Sequence, residues 1–204
     1  MTEGTGRIEA FSDGVFAIAI TLLILEVRLQ HVGAVGSLGT ALVALWPYYL
    51  AFALSFFVIL VTWIAHHDLM QMVRATNRQL QLANGFALFY VTFIPFPTAV
   101  LAAHLGGAEF KTAAAFYCGT FVIGSAAFNL LVTTISRSRL LRPNVSEAAL
   151  RRVGRGYQIT FSIYMAATLL ALVAPWLALA VNVAVRLFLL SIRYHPSSMH
   201  RESA

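Results

Sequence analysis

Six apolar stretches, each near the length needed to cross a hydrocarbon layer, constrain this chain to a bundle of membrane helices. A transmembrane helix needs about 20 mainly apolar residues. The stretches run from Ala10 to Leu29, Leu38 to Ala65, Leu80 to Ala103, Ala113 to Ile135, Tyr157 to Ala174 and Trp176 to Ile192. The last two are short and divided only by Ala174-Pro175, where proline lacks an N–H and fixes φ, which favours a break. The first run exceeds the core of about 7–15 residues of a signal peptide and is followed by Glu26-Val27-Arg28, so it is expected to be a retained helix. Only 11% of the 204 residues are charged and 59% are hydrophobic, against about 25% charged in ordinary globular domains. The expected fold is therefore an all-α integral membrane protein, one domain of six transmembrane helices over residues 1–204.

The formal charge of +6 invites a nucleic-acid reading, but nearly all the excess arginine lies in short segments between apolar runs, where it sets membrane orientation. Arg7 precedes the first run, Arg74 and Arg78 follow the second, Arg137 to Arg155 follow the fourth, and Arg193 and Arg201 follow the sixth. Arg28 and Lys111 fall on the other side. Both termini are expected to be cytoplasmic, with a cytoplasmic basic loop at 136–156 and a cytoplasmic tail at 195–204. Cys118 is the single cysteine, so neither an internal disulfide nor a cysteine-based zinc cluster is available. His66 and His67 are adjacent and do not share a helix face, which argues against chelation by the pair. No H-E-x-x-H, G-x-S-x-G or paired mid-membrane aspartates occur, so the expectation is a non-enzyme without a cofactor.

Polar chemistry concentrates at the mouth of the first run: Arg7, then Phe11-Ser12-Asp13, then Gly14 to Leu25 broken only by Thr21. Unpaired polar groups cost several kcal/mol in hydrocarbon, so this cluster demands partners. At about 100° of rotation per residue, Ile18, Leu22 and Leu25 form one stripe with Thr21 beside it, while Asp13 projects almost opposite Ile18 toward the helix behind. Periodicity alone leaves that stripe readable as lipid-facing or as ordinary packing. Glu26 lies just past it and is readable as an interfacial residue paired with Arg28. The second run ends in Trp63-Ile-Ala-His66-His67-Asp68, on the side of Asp13. The third holds Asn84 and then Phe93-Ile-Pro95-Phe-Pro97-Thr98, where two missing donors kink or end the helix. Asn129 and Asn182 are mid-span, suited to interhelical hydrogen bonds, and Gly119 and Gly124 suit close packing.

The stretch RIEAFSDGVFAIAITLLILEV, with the Trp-His pattern and the F-I-P-F-P-T run, resembles the TMEM175 family of potassium-permeable channels. The resemblance is most specific in the first run and fades beyond Arg137. It implies a homotetramer in which the first helix of each subunit surrounds the ion path, since one helix cannot enclose a pore. The narrowest part would be apolar rings formed here by Ile18, Leu22 and Leu25, with Thr21 lining the pore and no carbonyl-loop filter. It further implies a network of Arg7, Phe11, Ser12, Asp13, Trp63 and His67, in which Trp63 and His67 hold Ser12 and Asp13. Potassium would be the permeating ion, the bilayer the surroundings, and a prokaryotic plasma membrane the location. A small-solute or proton-coupled transporter is the alternative, and a scaffold a third class.

Overall fold

The structure, a computed structural model, describes residues 4–28 and 36–191, the last two by backbone alone. The expected tail at 195–204, with Arg193 and Arg201, lies outside the described residues. The described chain is helical throughout: α1 Gly6–Leu22 running into a 3-10 turn Leu23–Glu26, α2 Leu38–Ala44, α3 Trp46–Gln71, α4 Arg78–Phe93, α5 Pro95–His104, α6 Phe110–Arg137, α7 Glu147–Ala171 and α8 Pro175–Ser191. Several helix starts follow from local chemistry. Asn77 and Ser146 accept from the backbone N–H of Leu80 (2.8 Å) and Ala149 (3.2 Å), capping α4 and α7. Pro47 sits in the first turn of α3, where its missing donor costs nothing.

The proline-rich run separates α4 from α5 as the sequence suggests. Val91 O, which a residue-95 N–H would otherwise have reached, accepts from Ile94 N at 3.2 Å. Thr98 Oγ1 donates to Ile94 O at 2.8 Å and lies 2.7 Å from Ser55 Oγ, which meets the Tyr117 hydroxyl at 3.0 Å. At the break Val91 O and the Thr98 and Ser55 hydroxyls thus stay paired inside the bundle, as hydrocarbon requires. α6 lies at the centre, packed on α4, α5, α7 and α8. Gly124 makes room there: a Cβ at this position would stand 2.3 Å from Tyr90 Cζ. Close approach through small residues is how membrane helices gain contact where lipid is as apolar as leucine. α1 packs on α3 and α4 through one face, with Ser12, Phe16 and Ala19 buried and Leu23 continuing that face in the 3-10 turn. Only 22% of its apolar window is covered against 56% for α6, which places α1 at the margin of the bundle.

Two expectations change in detail. The second apolar run is two helices, since α2 ends at Ala44 and α3 starts at Trp46. The stretch expected as a loop at 136–156 is helical from Glu147 onward, because the Ser146 cap starts α7 within the basic region. Four helical segments meet the length and hydropathy of a span: Gly6–Glu26, Trp46–Gln71, Arg78–His104 and Phe110–Arg137. α7 opens with Glu147, Arg151, Arg152 and Arg155, and α8 is a shorter apolar helix. The segments after α3 and α6 are tied together, with Arg74 N donating to Leu140 O and Arg142 N to Met72 O, both at 2.9 Å. Arg142 Nε adds a bond to Val73 O at 3.1 Å. The two basic segments therefore lie at the same end of the bundle.

Candidate functional site

The buried face of α1 meets α3 and α4 through a hydrogen-bond chain whose direction is fixed. Ser12 Oγ donates to Ile8 O, four residues back, at 2.7 Å. With its proton engaged, Ser12 accepts from Asn84 Nδ2 on α4 at 3.0 Å. Asn84 Oδ1 then faces His66 Nε2 on α3 at 2.7 Å; since that oxygen only accepts, His66 Nε2 carries the proton and donates. Ser12, Asn84 and His66 are 0%, 2% and 1% exposed, so each bond is sealed from solvent and its loss would leave a buried group unpaired. Phe16 of α1 and Phe128 of α6 pack on the His66 ring at centroid distances of 5.3 and 6.3 Å. Asp13 is held separately: its Oδ1 accepts from Trp63 Nε1 at 2.8 Å. Its direction away from the stripe agrees with the helical wheel.

Trp63 is thus in the network, but His67 is not a partner of Ser12 or Asp13. It stacks on Trp63 at 5.8 Å and pairs with Gln71 at 2.9 Å. The neighbouring residue on the helix, His66, turns inward instead, and the missing link is Asn84. Phe11 also stays outside, 66% exposed, and with Arg7 it lines a groove between α1 and α4. Asn182 bridges helices by donating to Cys118 Sγ at 3.2 Å, whereas Asn129 returns to its own helix at Ser125 O, 3.1 Å away.

The opposite face of α1 is uncovered by the rest of the described chain. Ile18, Leu22 and Leu25 are 60%, 43% and 52% exposed, and Thr21 is exposed with them. Leu25 belongs to the 3-10 turn, which rotates it from its ideal α-helical position yet leaves it outward. Thr21 Oγ1 lies 3.0 Å from Ala17 O and 2.9 Å from Ile18 O, so its proton is engaged by the helix and its lone pairs remain outward. Among the described residues no cluster of three or more His, Cys, Asp or Glu side chains could hold a metal.

Sequence reasoning passed over Arg186, buried at 6% exposure in the middle of α8. Its signal was plain: one charged residue inside an apolar run. Nη1 donates to Thr62 Oγ1 at 3.1 Å, and the guanidinium carbon lies 4.8 Å from the Phe121 ring centroid and 5.5 Å from that of Tyr164.

Known proteins place this arrangement. The family model described as "Endosomal/lysosomal potassium channel TMEM175" matches residues 7–95, which hold the α1, α3 and α4 groups just described. A potassium channel of Chamaesiphon minutus is 41% identical over 180 residues, 87% of this chain and 89% of the relative. A potassium channel of Streptomyces collinus is 38% identical, covering 83% of this chain and 87% of its own. The human endosomal/lysosomal proton channel TMEM175 is 41% identical over 97 residues, 44% of this chain and 19% of that protein. The crystal structure of a lysosomal potassium-selective channel TMEM175 homolog from Chamaesiphon minutus superposes with a TM-score of 0.80 at 38% identity, covering 92% of this chain and 96% of that one. Agreement in sequence and fold over most of both chains is beyond what a shared helical architecture gives: this chain belongs to the TMEM175 family, a family of channels and not of enzymes.

Proposed function

We propose that this chain is the subunit of a potassium-permeable cation channel, a homotetramer in which α1 of each subunit lines the pore. The observation that carries the reading is the two-sidedness of α1: one face is locked to α3 and α4 by Ser12, Asn84 and His66, while the other presents Ile18, Thr21, Leu22 and Leu25 with no cover from its own subunit. Four such faces about an axis form stacked apolar rings. A ring of Ile or Leu offers no oxygen to replace an ion's hydration shell, so it empties of water when narrow and blocks conduction, and a small widening admits a partly hydrated cation. The outward lone pairs of Thr21 supply the only oxygens at that depth of the stripe. The names of the bacterial relatives, potassium channels over most of their length, support potassium as the permeant ion.

The six-span topology belongs to the same reading. α7 is 25 residues long, about 37 Å at 1.5 Å per residue, enough to hold its basic first turns at the interface and still cross. The shared end of the Arg74 and Arg142 segments, rich in arginine, suits the cytoplasmic side of a plasma membrane. The channel needs no cofactor beyond the permeating ion and the bilayer. Ile18→Asn tests the ring: a polar side chain retains water at the constriction, so conductance rises or potassium selectivity falls. An active Ile18→Asn channel with wild-type conductance and selectivity refutes the ring.

A further inference from the structure

The last turns of α6 and the first turns of α7 bound an open groove of about 360 Å³. Its walls are two helical stripes. Thr133, Ser136 and Arg137 on α6 are spaced i, i+3, i+4, and Arg151, Gly154, Arg155 and Gln158 on α7 are spaced i, i+3, i+4, i+7, so each set shares one face of its helix. The floor is apolar, with Val132 and Leu150 buried. Gly154 lets the two backbones close beneath it, since a Cβ there would stand 3.3 Å from Val132 Cγ1. Three exposed arginines therefore line one groove, and no acidic residue lines it with them. Glu147 pairs with Arg151 at 3.1 Å on the exposed surface, a kind of ion pair that contributes little. The Arg137 and Arg155 side chains make no hydrogen bond or ion pair with a described residue. Arg151 and Ala171, the last residue of α7, are 20 residues apart, about 30 Å at 1.5 Å per residue, which matches the hydrocarbon core. With α7 crossing as proposed above, Arg151 stands at the level of the lipid phosphates and Arg155 reaches back to it from one turn deeper.

We infer that this groove binds the phosphodiester of an anionic phospholipid, held by Arg137 and Arg155, with the lipid's apolar part against Val132 and Leu150. Guanidinium groups match phosphate oxygens in geometry as well as charge, and basic pockets between membrane helices at the bilayer surface attract acidic headgroups. A zwitterionic lipid brings its own cation, which finds no carboxylate on the groove wall and meets three guanidinium groups instead. The inference rests on the proposed crossing of α7 and not on ion passage.

Native mass spectrometry of the purified full-length protein in detergent tests the site, with phosphatidylglycerol and phosphatidylcholine of identical acyl chains titrated side by side. Phosphatidylglycerol is retained, and phosphatidylcholine binds about tenfold more weakly or worse. The double variant Arg137→Gln with Arg155→Gln weakens phosphatidylglycerol binding by roughly 30-fold. Arg152→Gln removes an exposed charge from outside the groove and changes retention by less than about twofold. Equal retention of the two lipids, a double variant that binds as the parent does, or an equal loss in Arg152→Gln would each overturn the site. Displacement of the lipid by equimolar glycerol 3-phosphate would assign the groove to a free phosphate and overturn the lipid. Retention is read on the folded protein whether or not it passes ions, so this inference and the channel reading fail separately.

Discussion

Replacing Asn84 with leucine removes the link between α1 and α3 while keeping the branching and the number of side-chain heavy atoms. Two bonds go: His66 Nε2–H to Asn84 at 2.7 Å and Asn84 Nδ2–H to Ser12 at 3.0 Å. His66 is 1% exposed and keeps a proton with no acceptor, a penalty of about 1–3 kcal/mol, and the lost bond to Ser12 adds about 0.5–1.5 kcal/mol. Ser12 itself is not orphaned, because its hydroxyl still donates to Ile8 O. The total is about 2–4 kcal/mol, or roughly 4–16 °C in Tm for a chain of this size. Ser12→Ala alone costs about 1–3 kcal/mol by leaving the buried Asn84 donor without an acceptor. Added to Asn84→Leu, it orphans nothing further, so the double variant falls short of the sum by about 1–2 kcal/mol. Thermal unfolding of the four proteins in one detergent measures the cycle. Additive effects within about 0.5 kcal/mol, or an Asn84→Leu protein as stable as the parent, would refute the directed chain from His66 to Ile8.

Trp63→Phe keeps an aromatic ring near His67 but removes the donor that holds Asp13 at 2.8 Å; a hydrogen bond to a charged group contributes about 1.5–3 kcal/mol, so Tm falls by several degrees, and a change under 1 °C would contradict that bond. Gly124→Ala places a Cβ 2.3 Å from Tyr90 Cζ; overpacking of about 3 kcal/mol exceeds the roughly 1 kcal/mol gain in helix propensity, and a stabilised variant would show that α4 and α6 do not approach this closely.

The membrane-helix fold was legible because apolar runs of this length have few other solutions. The back-facing position of Asp13 was legible because α1 keeps ideal periodicity through that residue. Choosing between His66 and His67 was not. Adjacent residues differ by about 100° on a helix, and the deciding group, Asn84, comes from α4, 18 residues further along. Phe11 shares a motif with Ser12 and Asp13, yet one step of rotation sends it out of the bundle. The helix from Glu147 was hidden by its charges: a polar stretch reads as a loop, although Ser146 ahead of it is an N-cap residue. Arg186 was hidden by the opposite habit, since counting arginines between runs passes over one inside a run.

Cation flux from proteoliposomes holding the purified protein tests the central claim most directly, with potassium, sodium, proton and large organic cation gradients against empty vesicles. Downhill potassium flux exceeding sodium flux, with the organic cation excluded, is the expected result. A folded, tetrameric protein that passes none of these ions under varied voltage, or that moves potassium uphill on a proton gradient, would contradict the channel and favour a scaffold or a transporter.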